Sequence, residues 1–224
     1  MFTALEGMST KLIVMVILLV LVIVSVSSLI SSDPVVASQR ILCFGDSITK
    51  AGGWVERVGE NSAFETINAG YSGRQAQGSE KYLAEYLKKY SDLDQLILFL
   101  GVNDLPARDK RPDEEKLSAC VNAMEKTIDL ALKSFEPKHI ILVAPCTVNP
   151  KTMSPKNINQ GYHLTPPLLM ELEARYKGLA QKKGVSFVSL LDVVSSGNYL
   201  DGLHPSKAGH REMAQAILSF LQRP

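Results

Sequence analysis

The sequence predicts an α/β fold, a three-layer α/β/α sandwich around a five-stranded parallel sheet. Three observations lead there. Five short apolar runs recur along the chain, each closed by a turn residue. Stretches of helical period separate them. Strands that alternate with helices, and are apolar on both faces, are those of a parallel sheet covered on each side. The 224 residues suit one domain.

The amino-terminal part stands outside this pattern. Residues 1–11 form a short flank. Leu12 to Val24 is an unbroken apolar run, and with Ser25, Ser27 and Ser28 it continues to Ile30, 19 residues in all. A helix rises about 1.5 Å per residue, so 12–30 nearly spans a hydrocarbon core of about 30 Å. The run exceeds the apolar core of a usual signal peptide, and a single-pass anchor is the favoured expectation. Cleavage near Ala37, after Val35 and Val36, is the alternative. Either reading places the remainder of the chain outside the cytoplasm, with Lys11 on the cytoplasmic side. Residues 31–39, with Pro34, read as a linker, and 40–224 as the folded domain.

Within that domain, Arg40 to Phe44 is the first strand, ending at Gly45-Asp46. Trp54, Val55 and Val58 mark a helix face. Phe64 to Asn68 is the second strand. Tyr82, Leu83, Tyr86, Leu87 and Tyr90 follow at helical spacing, a stripe expected to pack in the core. Gln95 to Leu100 is the third strand. Leu117, Val121, Met124, Ile128 and Leu132 give the clearest helical stripe. His139 to Ala144 is the fourth strand and Val185 to Leu191 the fifth; helices over Leu168–Lys183 and Ser206–Leu221 flank the latter. Asn149 to Pro167 is a long polar loop for which two readings stand open, a wall of the site or a plain surface loop.

In a parallel α/β sheet, sites form beyond the carboxyl ends of the strands. Four polar groups follow strands there. Ser47 comes after the first strand; its hydroxyl needs a base to become nucleophilic. Gly70 to Gly73 follows the second, where glycines can turn backbone N–H groups toward a ligand. Asn103, after the third, carries an amide donor of the kind that binds a developing oxyanion. Asp201 and His204 precede the last helix, and their three-residue offset lets the carboxylate reach one imidazole nitrogen and leave the other as base. Taken singly, each is as well explained by a helix cap or a turn. His139, His163 and His210 have no carboxylate at a comparable offset on a sheet-edge loop and read as structural or solvent-facing. Cys43, Cys120 and Cys146 read as buried packing residues.

Together the four groups resemble the SGNH or GDSL hydrolase family. Gly45-Asp46-Ser47-Ile48 resembles the first family block, with Ile48 in place of the usual leucine. Asn68 to Gly73 resembles the second, Gly101 to Asp104 the third, and Asp201 to His204 the fifth. The resemblance implies a flavodoxin-like fold and a serine esterase. In that reading Ser47 is the nucleophile, and His204 and Asp201 complete the triad. The N–H groups of Ser47 and Gly73 and the Asn103 amide form the oxyanion hole, with Gly70 as a less favoured donor. Phe44 to Thr49 with Gly53-Trp54, and Tyr199 to Ser206, look most like the isoamyl-acetate-hydrolysing esterase branch, which implies small esters.

The alternatives in the same family are carbohydrate O-acetylesterase and lysophospholipase or thioesterase. A non-catalytic binding module of the same fold is the alternative of another class. The expected partners are therefore a small-molecule ester, a glycan acetyl ester or a lipid, together with the membrane through 12–30. Neither metal nor cofactor is implied. A net charge of +1 leaves no excess of cations for a nucleic-acid partner. Three cysteines, widely spaced, do not build a disulfide scaffold. No G-x-G-x-x-G follows a strand, which disfavours a dinucleotide-binding domain, and no G-x-S-x-G elbow is present.

Overall fold

The computed structural model describes residues 38–223. The apolar segment 12–30, and with it the expected anchor or signal, lies outside the described residues. Among those described, no helix is long and apolar enough to cross a membrane.

Five parallel strands form one sheet: β1 (Gln39–Gly45), β2 (Phe64–Gly70), β3 (Gln95–Phe99), β4 (Ile140–Ala144) and β5 (Ser186–Ser189). Their spatial order is β2-β1-β3-β4-β5, the doubly wound arrangement in which the chain reverses direction across the sheet at β1. The inner strands are buried on both faces; every residue of β4 and all of Ile41–Gly45 are buried. That is why they read as continuous apolar runs and not as alternating ones.

The main helices are α2 (Gly53–Gly59), α3 (Ser79–Lys89), α4 (Asp113–Ala131), α6 (Pro166–Lys183) and α7 (Lys207–Leu221). Two short helices, α1 (Ser47–Lys50) and α5 (Pro155–Asn159), complete the set. Helices α3, α4 and α6 pack in series as one layer, and α2 packs with α7 as the other. In α4, Asp113, Glu114 and Glu115 fill the first turn, where acidic side chains complement the helix dipole. Its buried side chains include Leu117, Met124 and Ile128, as the stripe predicts.

Some expectations are corrected. His139 ends a 3-10 turn (Pro137–His139), and the strand begins at Ile140. Val185 is outside β5, because its N–H closes the end of α6 on Ala180. The tyrosine stripe is only partly core. Leu83 is fully buried, Tyr86 and Leu87 lie against the core, and Tyr82 is 53% exposed. At about 100° per residue, position 82 falls roughly a quarter-turn away from the face shared by 83, 86, 87 and 90. The three cysteines are free and buried, as expected. Cys146 lies two residues past the end of β4, and His210 is buried within α7.

Candidate active site

The register of the sheet brings three loops to one place. Gly45, at the end of β1, is level with Gly70 of β2 on one side and Phe99 of β3 on the other. The segments carrying Ser47, Gly73 and Asn103 therefore leave three adjacent strands at the same edge.

Ser47 opens α1. The buried Asp46 carboxylate caps this single turn by accepting the Ile48 N–H at 2.9 Å. As first residue of the turn, Ser47 has no intrahelical partner for its own N–H. Gly70 comes so close to α1 that a Cβ there would stand 2.1 Å from the Lys50 nitrogen. The Gly70 N–H is already donated to Asn68 Oδ1 at 2.9 Å. Gly73 differs. It has φ +74° in a turn closed by the Arg74 N–H on the Tyr71 carbonyl, so the turn does not use the Gly73 N–H.

Asn103 is held at both ends of its amide. Nδ2 donates to the Arg74 carbonyl at 3.0 Å, and Oδ1 accepts from the Tyr162 hydroxyl at 2.6 Å. Next to it, the buried Asp104 carboxylate accepts the Ala76 N–H at 2.8 Å. Burial raises the Asp104 carboxyl to about 6, against the lowering effect of those N–H groups. Asp46 is likewise raised by burial, to about 7.

Asp201 and His204 follow β5, the outer strand farthest from β2. The chain after β5 runs back over the strand ends and is braced on the way. Asn149 N–H donates to the Gly202 carbonyl at 2.7 Å, and Ser154 N–H to the Asp201 carbonyl at 3.0 Å. Asp201 Oδ1 accepts the His204 backbone N–H at 2.8 Å, and Oδ2 lies 3.0 Å from His204 Nδ1. Burial acts to raise the Asp201 carboxyl, but these hydrogen bonds outweigh it and hold the group down to about 2. An ionised carboxylate only accepts, so Nδ1 is the protonated nitrogen and Nε2 is free to accept. Ser47 Oγ lies 3.0 Å from that Nε2. A hydroxyl, an imidazole and a carboxylate in this sequence can pass a proton from the serine to the ring.

A sequence profile of GDSL-like lipases and acylhydrolases matches residues 43–212, most of the chain. The chain belongs to the GDSL-like lipase/acylhydrolase family. This GDSL-family protein is accordingly a carboxylic ester hydrolase. A search of the curated proteins found no match.

Solved structures share the fold of the GDSL-family chain. An aryl esterase from M. smegmatis superposes with TM-score 0.68 at 24% identity, covering 83% of this chain and 99% of that one. Est24, a carbohydrate acetylesterase from Sinorhizobium meliloti, gives 0.66 at 24%, covering 82% and 98%. A lipase/acylhydrolase from Enterococcus faecalis gives 0.65 at 19%, covering 82% and 95%.

Sequence reasoning missed two contributors. Arg74 is buried, with its guanidinium 4.3 Å over the Phe44 ring and Nη1 donating to the carbonyls of Gly45 and Ala69. It ties the Gly73 loop to the ends of β1 and β2. Tyr162 comes from the loop between β4 and α6. That loop contains α5 and two 3-10 turns and hydrogen-bonds to both the Asp201 backbone carbonyl and the Asn103 amide, so it packs against the candidate site. Two grooves flank the catalytic candidates. One, of about 490 Å³, begins at Gly73 and is lined by Tyr71, Tyr82 and Gln75. The other, of about 600 Å³, begins at His204 and is lined by Ile48, Leu200 and His210.

Proposed function

We propose that the protein is a serine esterase for small or short-chain esters. Ser47 Oγ attacks the ester carbonyl while His204 Nε2 takes its proton. The Asp201 carboxylate steadies the imidazolium so formed. The N–H groups of Ser47 and Gly73 and the free Nδ2–H of Asn103 bind the tetrahedral oxyanion. The intermediate collapses as His204 gives the proton to the leaving alcohol. Water, activated by the same imidazole, then cleaves the acyl-enzyme and regenerates Ser47.

The observation that carries this reading is the unbroken run from Ser47 Oγ to Nε2 at 3.0 Å and from Nδ1 to Asp201 Oδ2 at 3.0 Å. Small substrates are favoured because the site opens between two grooves and among the described residues carries no additional lid domain. The solved neighbours named as an aryl esterase and a carbohydrate acetylesterase lend support to small acyl groups. Glycan acetyl esters are thus a second reading. A location at the membrane, with the catalytic domain on the extracytoplasmic side, is part of the proposal and rests on the composition of 12–30.

The test uses residues 39–224 and a panel of acetyl, butyryl, octanoyl and palmitoyl esters with acetylated sugars and lysophospholipid. Acetyl and butyryl esters give the highest kcat/KM. Ser47→Ala loses turnover and labelling by a fluorophosphonate while keeping its melting temperature. Near-native turnover in that variant refutes the nucleophile. A preference for palmitoyl esters or lysophospholipid refutes the substrate class.

A further inference from the structure

We infer that Tyr162 is a positioning residue for the oxyanion hole, acting through the Asn103 amide. The inference rests on the proposed role of Asn103. Asn103 is almost fully buried, and an asparagine amide is broad and nearly symmetric about its last torsion. A donor that serves the transition state must present its N–H at a fixed place before charge develops.

Two contacts fix it. The Arg74 carbonyl only accepts, so the amide atom 3.0 Å from it is Nδ2. Oδ1 then faces Tyr162, whose hydroxyl donates to it at 2.6 Å. One Nδ2–H is left with no partner among the described residues. Tyr162 does more than restrain the torsion. A hydrogen bond received at the carbonyl end polarises the amide and strengthens its remaining N–H as a donor.

Tyr162 is itself built in. Its ring is buried, and the Arg108 guanidinium lies 5.3 Å over it. Arg108 also donates to the Asn103 backbone carbonyl at 3.2 Å and to Gln160 Oε1. Burial raises the phenol above its ordinary value, so the hydroxyl keeps the proton it donates. The Thr165 hydroxyl donates to the Tyr162 carbonyl at 2.8 Å and closes the turn behind it. Tyr162 thus joins the β4–α6 loop to a group 59 residues earlier in the chain.

The experiment compares the parent with Tyr162→Phe, Asn103→Ala and the double variant, all as full-length chains. The substrate is p-nitrophenyl acetate, and rates are normalised to active sites titrated to completion with a fluorophosphonate. Tyr162→Phe should lower kcat about ten-fold with KM unchanged, a smaller loss than the hundred-fold or more expected for removing the donor itself. In the Asn103→Ala background it should cost nothing further, since the two act as one unit. Melting temperature is measured alongside; a merely structural tyrosine would lower it while leaving kcat per site intact. Normal kcat in Tyr162→Phe beside an impaired Asn103→Ala overturns this inference alone. An equal loss of kcat in both backgrounds also overturns it, because Tyr162 would then act elsewhere. Full kcat in Asn103→Ala overturns the oxyanion role first and the inference with it.

Discussion

Asp104 Oδ2 accepts the Ala76 N–H at 2.8 Å, and that bond joins the loop after β3 to the loop after β2. The first carries Asn103 and the second Gly73. The loops of two donors proposed to grip one oxygen are thereby tied together by a fully buried carboxylate. In Asp104→Ala, the buried Ala76 N–H is left unpaired at a cost of about 1–3 kcal/mol. The melting temperature should fall by roughly 2–12 °C, given about 2–4 °C per kcal/mol for a chain of this size. Turnover per titrated site should fall as well. A less stable protein with parental kcat would reduce Asp104 to a structural tie.

Asp201→Asn separates geometry from protonation. Oδ1 of the new amide can still accept the backbone N–H groups of Leu203 and His204, as Asp201 does at 3.1 and 2.8 Å. Its Nδ2 replaces the oxygen facing His204 Nδ1. That makes Nδ1 the acceptor and puts the ring proton on Nε2, where it blocks proton transfer from Ser47. We expect kcat to drop on the order of ten-thousand-fold with little change in melting temperature. A loss of less than ten-fold would refute the orienting role.

Asp46 makes a pH-dependent contribution to stability whose sign can be worked out. Its folded-state carboxyl is raised by burial to about 7 from an ordinary 3.8. Between those values the folded protein holds a proton that the unfolded chain has released, so stability declines as pH rises through the interval. The contribution is intact below about pH 4 and gone above about pH 7. Asp46→Asn keeps an oxygen for the Ile48 N–H and removes the titration. Its melting temperature should therefore fall less between pH 4 and 7 than that of the parent. Parallel curves for the two proteins would show that Asp46 does not titrate in this range.

The apolar run 12–30 should carry the full-length chain into the membrane fraction. A chain starting at Ser38 should be soluble and active, because the site is built wholly from residues after it. Finding the full-length protein only in the cytosol would refute this. A mature chain beginning at Ser38 would favour export with cleavage over anchoring.

Much of this arrangement was legible in the residues. The inner strands announce themselves because two-sided burial demands unbroken apolar runs, as in Ile140–Ala144. Asp201 and His204 are legible because their contact is local, closed within one turn. What stayed hidden depends on contacts between distant segments. Tyr162 reaches Asn103 across 59 residues, and no local pattern marks it. Arg74 is a cation in the core, where arginine is seldom found, and only the carbonyl ends of β1 and β2 and the Phe44 face make that place suitable. Tyr82 shows the reverse error: a residue near a helical stripe need not belong to its buried centre.

The course of the chain after β5 has a consequence for how this protein gains and loses its chemistry. β5 is an edge strand, separated from β1 by β3 and β4, yet its continuation brings His204, the proposed base, to Ser47. The two halves of the site are thus stitched together by closures of very long range, which form late and open early relative to local structure. Covalent trapping of Ser47 then reports on the last stage of assembly. During mild denaturation, the fraction of chains that react with a fluorophosphonate should decay before helix content does, so the protein carries a built-in gauge of its own completeness.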